Sequence, residues 1–265
     1  PLARNIDDLE LAMSIIAKTT REDRRLTPLV KNTDTIDIRN LKIALTDEFG
    51  GVPVDNEIKL KIQEYISKLE KAGATVVKVT PEIDFNLAWK TWGSFIGMQG
   101  GYNTSNFVKW MGLPFIKGVL KDVPMHQNVV KPTSVEKYMI AMNIQDSMIN
   151  TMENFMNEYD AFICPVSAVT AFNHHAPSKS YGSFSLYNTP LKVNNDDIHY
   201  YMATQAYTTP FTLTENPVLS MPISISRESL PIGIQVIGKR YTDFRLLKIG
   251  MVLDDYSEKF KYPLE

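Results

Sequence analysis

The densest group of side chains able to do chemistry is His174-His175 together with Asp196, Asp197 and His199. Imidazoles and carboxylates are metal ligands, and Asp196 and His199 stand three apart, a spacing that would put them on one helical face. No H-E-x-x-H pattern accompanies them and the surrounding sequence is polar. The group therefore reads as a solvated loop, with a metal site as the alternative. Cys164, the only cysteine, precedes Pro165 at the end of an apolar run. A nucleophilic thiolate needs an imidazole to activate it, and the histidines downstream allow that. The plainer reading is a small buried hydrophobe. Lys121-Asp122 raises the question of a general-base lysine, which must be desolvated and needs a serine held beside it. The glycine pairs that could hold one, Gly50-Gly51 and Gly100-Gly101, are followed by Val52 and Tyr102, so Lys121 reads as a solvated helix-end residue. There is no G-x-G-x-x-G, no phosphate loop and no G-x-S-x-G elbow. The expectation is no cofactor and no bound metal.

The chain that must position these groups has 265 residues, of which 44% are apolar and 22% charged, the balance of a soluble globular protein. That length is enough for one well-buried core, and residues 1–265 are read as a single domain. A net charge of −2 gives no electrostatic case for nucleic acid or an anionic membrane as partner. Apolar runs such as Ile232–Gly238 are too short to cross a bilayer. No signal peptide is visible, and one cysteine allows no intramolecular disulfide, so a cytoplasmic location is expected.

Periodicity supplies the elements. Ile6, Leu9, Met13 and Ile16 share a helical face. Residues 41–46 and 74–80 read as strands around a helix over 55–72, whose stripe is Ile58, Ile62, Tyr65, Ile66 and Leu69 and whose stop is Gly73. This is a βαβ unit with a parallel strand pair. Residues 85–159 read as helical throughout, with Thr133-Ser134-Val135-Glu136 as a capping box and a methionine face from Met139 to Met156. Residues 161–165 read as a buried strand, 166–196 as a long loop, 197–207 as a short helix, and 243–256 as a closing helix. Between them, LTENPVLSMPISISRESLPIGIQVIGKR (Leu213–Arg240) reads as a two-stranded ribbon with pairing that begins at Pro222 and Pro231. The fold class expected is α/β, a layered mixed sheet flanked by helices.

Four segments, in order, resemble the amidase signature family of serine hydrolases. PLARNIDDLELAMSIIA (Pro1–Ala17) is similar to its G-P-L-A-R-S-V-x-D-L-A-L segment. LKIALTDEFGGVPVDNEI with LEKAGATVVKV is similar to its strand, loop and helix. YDAFICPVSAVTAF (Tyr159–Phe172) resembles Y-D-x-L-L-x-P-x-x-x-x-x-A. The ribbon resembles F-N-L-T-G-x-P-A-x-S-x-P followed by G-L-P-I-G-x-Q-x-I-G. The match spans nearly the whole chain apart from the helical middle, roughly 85–158, which varies in such families. The resemblance implies hydrolysis of amide bonds by a lysine, a bridging serine and a nucleophilic serine, all in the family's N-terminal half. No position here corresponds to any of the three. The chain is thus expected to be the C-terminal portion of an amidase, inactive alone, or alternatively a non-enzymatic binding or scaffolding module. The resemblance also implies a small-molecule amide as substrate once the other half is present, and self-association through an uncovered sheet edge. For substrate contact it points to Trp92 and Phe95 (with Trp89), Cys164 and the loop after it, and Glu215 and Asn216 in the turn Thr214–Pro217; core and ordinary turn is the other reading. The family usually has Asn and Gly where this chain has Thr212 and Glu215.

Overall fold

A computed structural model describes residues 1–19, 27–31, 34–100, 105–107, 109–111, 123–124, 128–129, 131–132, 134–181 and 184–258. Lys121-Asp122 and Thr133 lie outside the described residues. In chain order the elements are α1 (Ile6–Ile16), β1 (Lys42–Leu45), α2 (Asn56–Lys71), β2 (Thr75–Lys78), α3 (Phe85–Gly100), α4 (Val135–Asn157) and β3 (Ala161–Pro165). Two small hairpins follow, β4 (Lys179–Tyr181) with β5 (Phe184–Leu186), and β6 (Leu191–Val193) with β7 (Asp196–Ile198). The chain closes with α5 (Tyr200–Gln205), α6 (Thr209–Leu213), β8 (Val218–Ile225), β9 (Pro231–Ile237) and α7 (Asp243–Asp254).

Among the described residues the main sheet has the order β2-β1-β3-β9-β8. β2, β1 and β3 run parallel, Ile43 pairing with Val76 on one side and Ala161 on the other. β9 and β8 run antiparallel to their neighbours, with Gln235 opposite both Cys164 and Ser220. The mixed sheet has a direct cause. β1, β2 and β3 are separated by helices long enough for crossovers, while β8 and β9 are joined by a short turn that can only make a hairpin. β3 is buried along its whole length, as a strand covered on both faces must be.

Helices cover both faces. On one side α2 and α7 meet through a buried hydrogen bond from Tyr65 Oη to the Leu253 carbonyl, 2.7 Å. On the other, Phe162 of β3 packs edge-on against Phe155 of α4 and Phe211 of α6. Trp89 of α3 is anchored there by its indole N–H on the Ala206 carbonyl, 2.9 Å. Gly50 permits this packing: it takes φ +64, and a Cβ there would come within 2.5 Å of the Trp89 ring. α2 begins at Asp55, whose carboxylate accepts from the Glu57 amide, and its five expected stripe residues are all buried.

Several local readings change. The cap of α4 is Ser134, which accepts from the Lys137 amide, one residue later than the expected box. On the methionine face, Met148, Met152 and Met156 are buried as core, while Met139 is exposed. Ile16 is 63% exposed; α1 rests on α7 through Ile6, Leu9 and Met13, and its last turn lies beyond that contact. Residues 85–159 are not one helical run, since the described part of 128–132 is irregular. The long loop contains two hairpins, and 197–207 divides between β7 and α5. The β6–β7 turn forms at Asn194, which adopts φ +56 and also holds the start of α2 by accepting from the Asn56 amide. Pro222 does not begin a strand. β8 starts four residues earlier at Val218, and Pro222 sits beside a bulge before Ser224. A proline is tolerated mid-strand because β8 is the last strand of the sheet, so its missing N–H removes no ladder bond. Pro231 does open β9, as expected.

Candidate active site

A cleft of about 850 Å3 lies along the β8–β9 ribbon. Ser220, Met221 and Pro222 of β8 and Ile232 and Gly233 of β9 form one wall. Val166, Ser167 and Val169–Ala171, the segment after β3, form a second; Arg4, Asp254 and Glu258 stand at the margins.

The segment after β3 is held rigidly. The Ala168 amide donates to the Ala203 carbonyl, 2.8 Å, and its own carbonyl accepts from the Asp55 amide, 2.9 Å. The Ser167 hydroxyl donates to the Val169 carbonyl. Underneath, the Gln235 carboxamide donates to the carbonyls of Pro165 and Tyr207, each 2.9 Å away. A buried amide is stable only with such partners, and here they tie the sheet to the cleft wall. Gly233 lets β8 and β9 approach closely there, since a Cβ would meet the Met221 carbonyl at 3.1 Å.

The outer edge of β8 is partly covered by the chain itself. The Glu258 amide donates to the Ile223 carbonyl, 3.0 Å, and the Ser224 hydroxyl donates to the Glu258 carboxylate, 2.7 Å. That hydroxyl holds the Glu258 carboxyl below its usual range, against a smaller opposing effect of burial. The edge over Val218–Pro222 has no such cover among the described residues.

None of the five residues expected at the site lines this cleft. Trp92 and Phe95 are half-buried on α3, where Phe95 lies edge-on to Tyr138 of α4 at 6.0 Å. Cys164 is wholly buried beneath the segment after β3; burial pushes its thiol well up from the ordinary value, and Gln235 lies 3.5 Å from its sulfur. Glu215 and Asn216 line a separate cleft of about 820 Å3 with Phe211, Val218 and Tyr241. Asn216 is a brace within it: its amide donates to the Gly238 carbonyl, 2.8 Å, and its carbonyl accepts from Thr214, 2.7 Å. Glu215 adopts φ +56 and pairs with Arg240 at 2.7 Å, and Arg240 also holds Glu153 of α4 at 2.9 Å.

The histidine and aspartate group is dispersed. His199 caps α5 and meets Asn188 at 2.9 Å, Asp197 pairs with Lys192, and Asp196 stands in β7 rather than on a helix with His199. Among the described residues no three His, Cys, Asp or Glu side chains are placed to hold a metal ion, and no helix is long and apolar enough to cross a membrane.

Chemically, the larger cleft offers Ser167, Thr170 and Ser220 hydroxyls. None of its described lining residues is a lysine or histidine. A serine becomes a nucleophile only beside a base. The cleft is thus a shaped recess with hydrogen-bonding walls and no amine or imidazole beside its hydroxyls among those residues. Ser167, Ser220 and Glu258 do not stand out in the sequence. The loop after Cys164 does, and its length between a buried strand and a helix is the available signal.

The family model for amidases matches residues 1–247. The chain belongs to the amidase family. It is similar to a glutamyl-tRNA(Gln) amidotransferase subunit from Halothermothrix orenii, 22% identical over 281 residues, covering 96% of this chain and 54% of that protein. The solved structure of the corresponding Thermotoga maritima protein superposes with a TM-score of 0.68 at 21% identity, over 99% of this chain and 54% of that one. A fatty acid amide hydrolase structure gives 0.68 at 20% identity, over 98% and 48%. These likenesses establish the amidase fold as a mixed sheet flanked by helices. This amidase chain spans about half the length of the relatives it matches.

Proposed function

We propose that this chain forms the part of an amidase that builds the sheet and one side of the substrate cleft, for hydrolysis of a carbon–nitrogen bond in a small amide. The attacking serine, the bridging serine and the lysine would come from sequence outside residues 1–265, and the chain alone would be inactive. The observation that carries this reading is a family match over residues 1–247 joined to a cleft that has hydroxyls but neither lysine nor histidine among its described lining residues. The relatives' roughly twofold greater length supports it. Residues 1–265 would act as one folded unit in a reducing, cytoplasmic compartment, which the single buried thiol suits.

The substrate-facing set drawn from the sequence has unequal support. Glu215 and Asn216 line a cleft, Cys164 lies just under the wall of the larger one, and Trp92 and Phe95 stand on α3 beside Trp89. We add Ser167, Thr170 and Ser220 as the groups placed to hydrogen-bond an amide. The open stretch of β8, with Val218 exposed, would also let two copies associate edge to edge.

The test is an assay of the purified chain with aryl and alkyl amides, alone and with the N-terminal half of a related amidase added in trans. No turnover alone is expected. Turnover that survives stringent purification and scales with this chain would overturn the proposal. Sedimentation should show concentration-dependent association, and a monomer at high concentration would overturn the edge contact.

A further inference from the structure

The packing of α4 against α3 leaves an open-sided cavity of about 310 Å3 that shares no lining residue with either cleft. Leu87, Met98, Ile140 and Ile144 give it apolar walls, and Lys90, Lys131 and Lys137 stand around it. This recess is a constructed one. The Asn128 amide donates to the Lys90 carbonyl at 3.0 Å and to the Ser94 hydroxyl at 2.9 Å, which docks Asn128 on α3. Gly97 makes room for that docking, since a Cβ there would lie 2.5 Å from the Val129 carbonyl oxygen.

The three lysines differ from six others in the protein. Lys42, Lys59, Lys61, Lys78, Lys192 and Lys248 each pair with a carboxylate. Around the cavity Lys131 donates only to the neutral Asn128 carbonyl, 2.7 Å, and Lys137 only to the Pro132 carbonyl, 2.9 Å, among the described residues. α3 carries no acidic residue. On α4, Glu153 is engaged by Arg240, and neither Glu136 nor Asp146 makes an ion pair with Lys90, Lys131 or Lys137. Three like charges gathered over an apolar hollow, without a counter-charge among the described residues, are complementary to one kind of occupant.

We infer that the cavity between α3 and α4 binds a small amphiphilic anion, a medium-chain monocarboxylate. Its alkyl body lies on Leu87, Met98, Ile140 and Ile144, and its carboxylate is held by Lys90, Lys131 and Lys137. The site is independent of amide hydrolysis, so its failure would leave the proposed function standing.

The experiment is calorimetric titration of the whole chain with sodium decanoate, kept below its micelle concentration at low salt. Sodium acetate is the probe without a tail and 1-decanol the probe without a charge. Decanoate is expected to saturate one site, with both partial probes at least about tenfold weaker. A Lys90→Gln/Lys137→Gln double variant with unchanged circular dichroism should weaken decanoate about tenfold or more. Ile140→Asp, at a half-exposed wall position, should do the same by repulsion while leaving the fold intact. No saturation by decanoate, equal affinity for decanol, or an unaltered lysine variant would overturn the inference. Binding to phosphatidylglycerol vesicles without binding of monomeric decanoate would also overturn it, in favour of a lipid-surface contact.

Discussion

Glu215 stands one residue past the cap of α6, where the family usually has glycine, and it takes φ +56. The informative perturbation is the pair Glu215→Gly and Glu215→Ala, compared with each other. A residue with a Cβ in the left-handed region costs about 1–2 kcal/mol, and glycine escapes this. Glycine in turn loses about 0.5–1 kcal/mol through its freer unfolded chain. The difference leaves the glycine variant ahead of the alanine variant by about 1 kcal/mol. Both variants lose the ion pair with Arg240, so that contact cancels. It is a modest one in any case, because the Glu215 side chain is 51% exposed and Arg240 retains Glu153. Urea unfolding followed by fluorescence would read the gap as a shift in midpoint, and thermal melts as about 2–4 °C. At an ordinary helical or extended position the order reverses and alanine is the more stable. An alanine variant as stable as the glycine variant, or more so, would therefore refute the left-handed assignment and the claim that Glu215 keeps a glycine's backbone.

Gln235→Leu should cost about 2–4 kcal/mol in urea unfolding, because the carbonyls of Pro165 and Tyr207 lose buried donors; a cost under about 0.5 kcal/mol would show that the cleft wall does not depend on it. Cys164 should resist Ellman's reagent in the folded chain and react at once in denaturant, since it is fully buried and its thiol is pushed up by burial. Rapid labelling of the native chain would contradict that burial. The Glu258 carboxyl is depressed in the folded state by Ser224, so its contribution is complete above the ordinary carboxylate value and is lost as pH falls through the depressed one. Hydrogen exchange, corrected for its intrinsic pH dependence, should thus show the Glu258 amide losing protection in acid, and Ser224→Ala should remove that pH dependence.

How far the sequence could be read varies with the range of the forces involved. α2 was legible to within a residue because its cap, its stripe of five apolar positions and its glycine stop all act within a few residues. β3 was legible because five buried residues before the loop leave little else to be. The hairpins within 166–196 were not, since three-residue strands are too short for alternation to register. Pro222 was misplaced because its tolerance depends on β8 having no outer neighbour, which is a property of the assembled sheet. At the site, the loop after Cys164 stood out by length alone. Ser167, Ser220 and Glu258 looked like ordinary polar residues until β8, β9 and β3 were brought side by side.

By itself the sequence determined the amidase kinship and the α/β class, because each depends on residue types in a fixed linear order. The tertiary structure alone decided which side chains share a cleft, that Asn216 braces a turn and Cys164 lies sealed in the core, and that Glu215 occupies a glycine's conformation. It also decided that three lysines gather over an apolar hollow between α3 and α4. Those outcomes depend on contacts between residues far apart in the chain, and the pairing and packing that create them exist only once the sheet has formed.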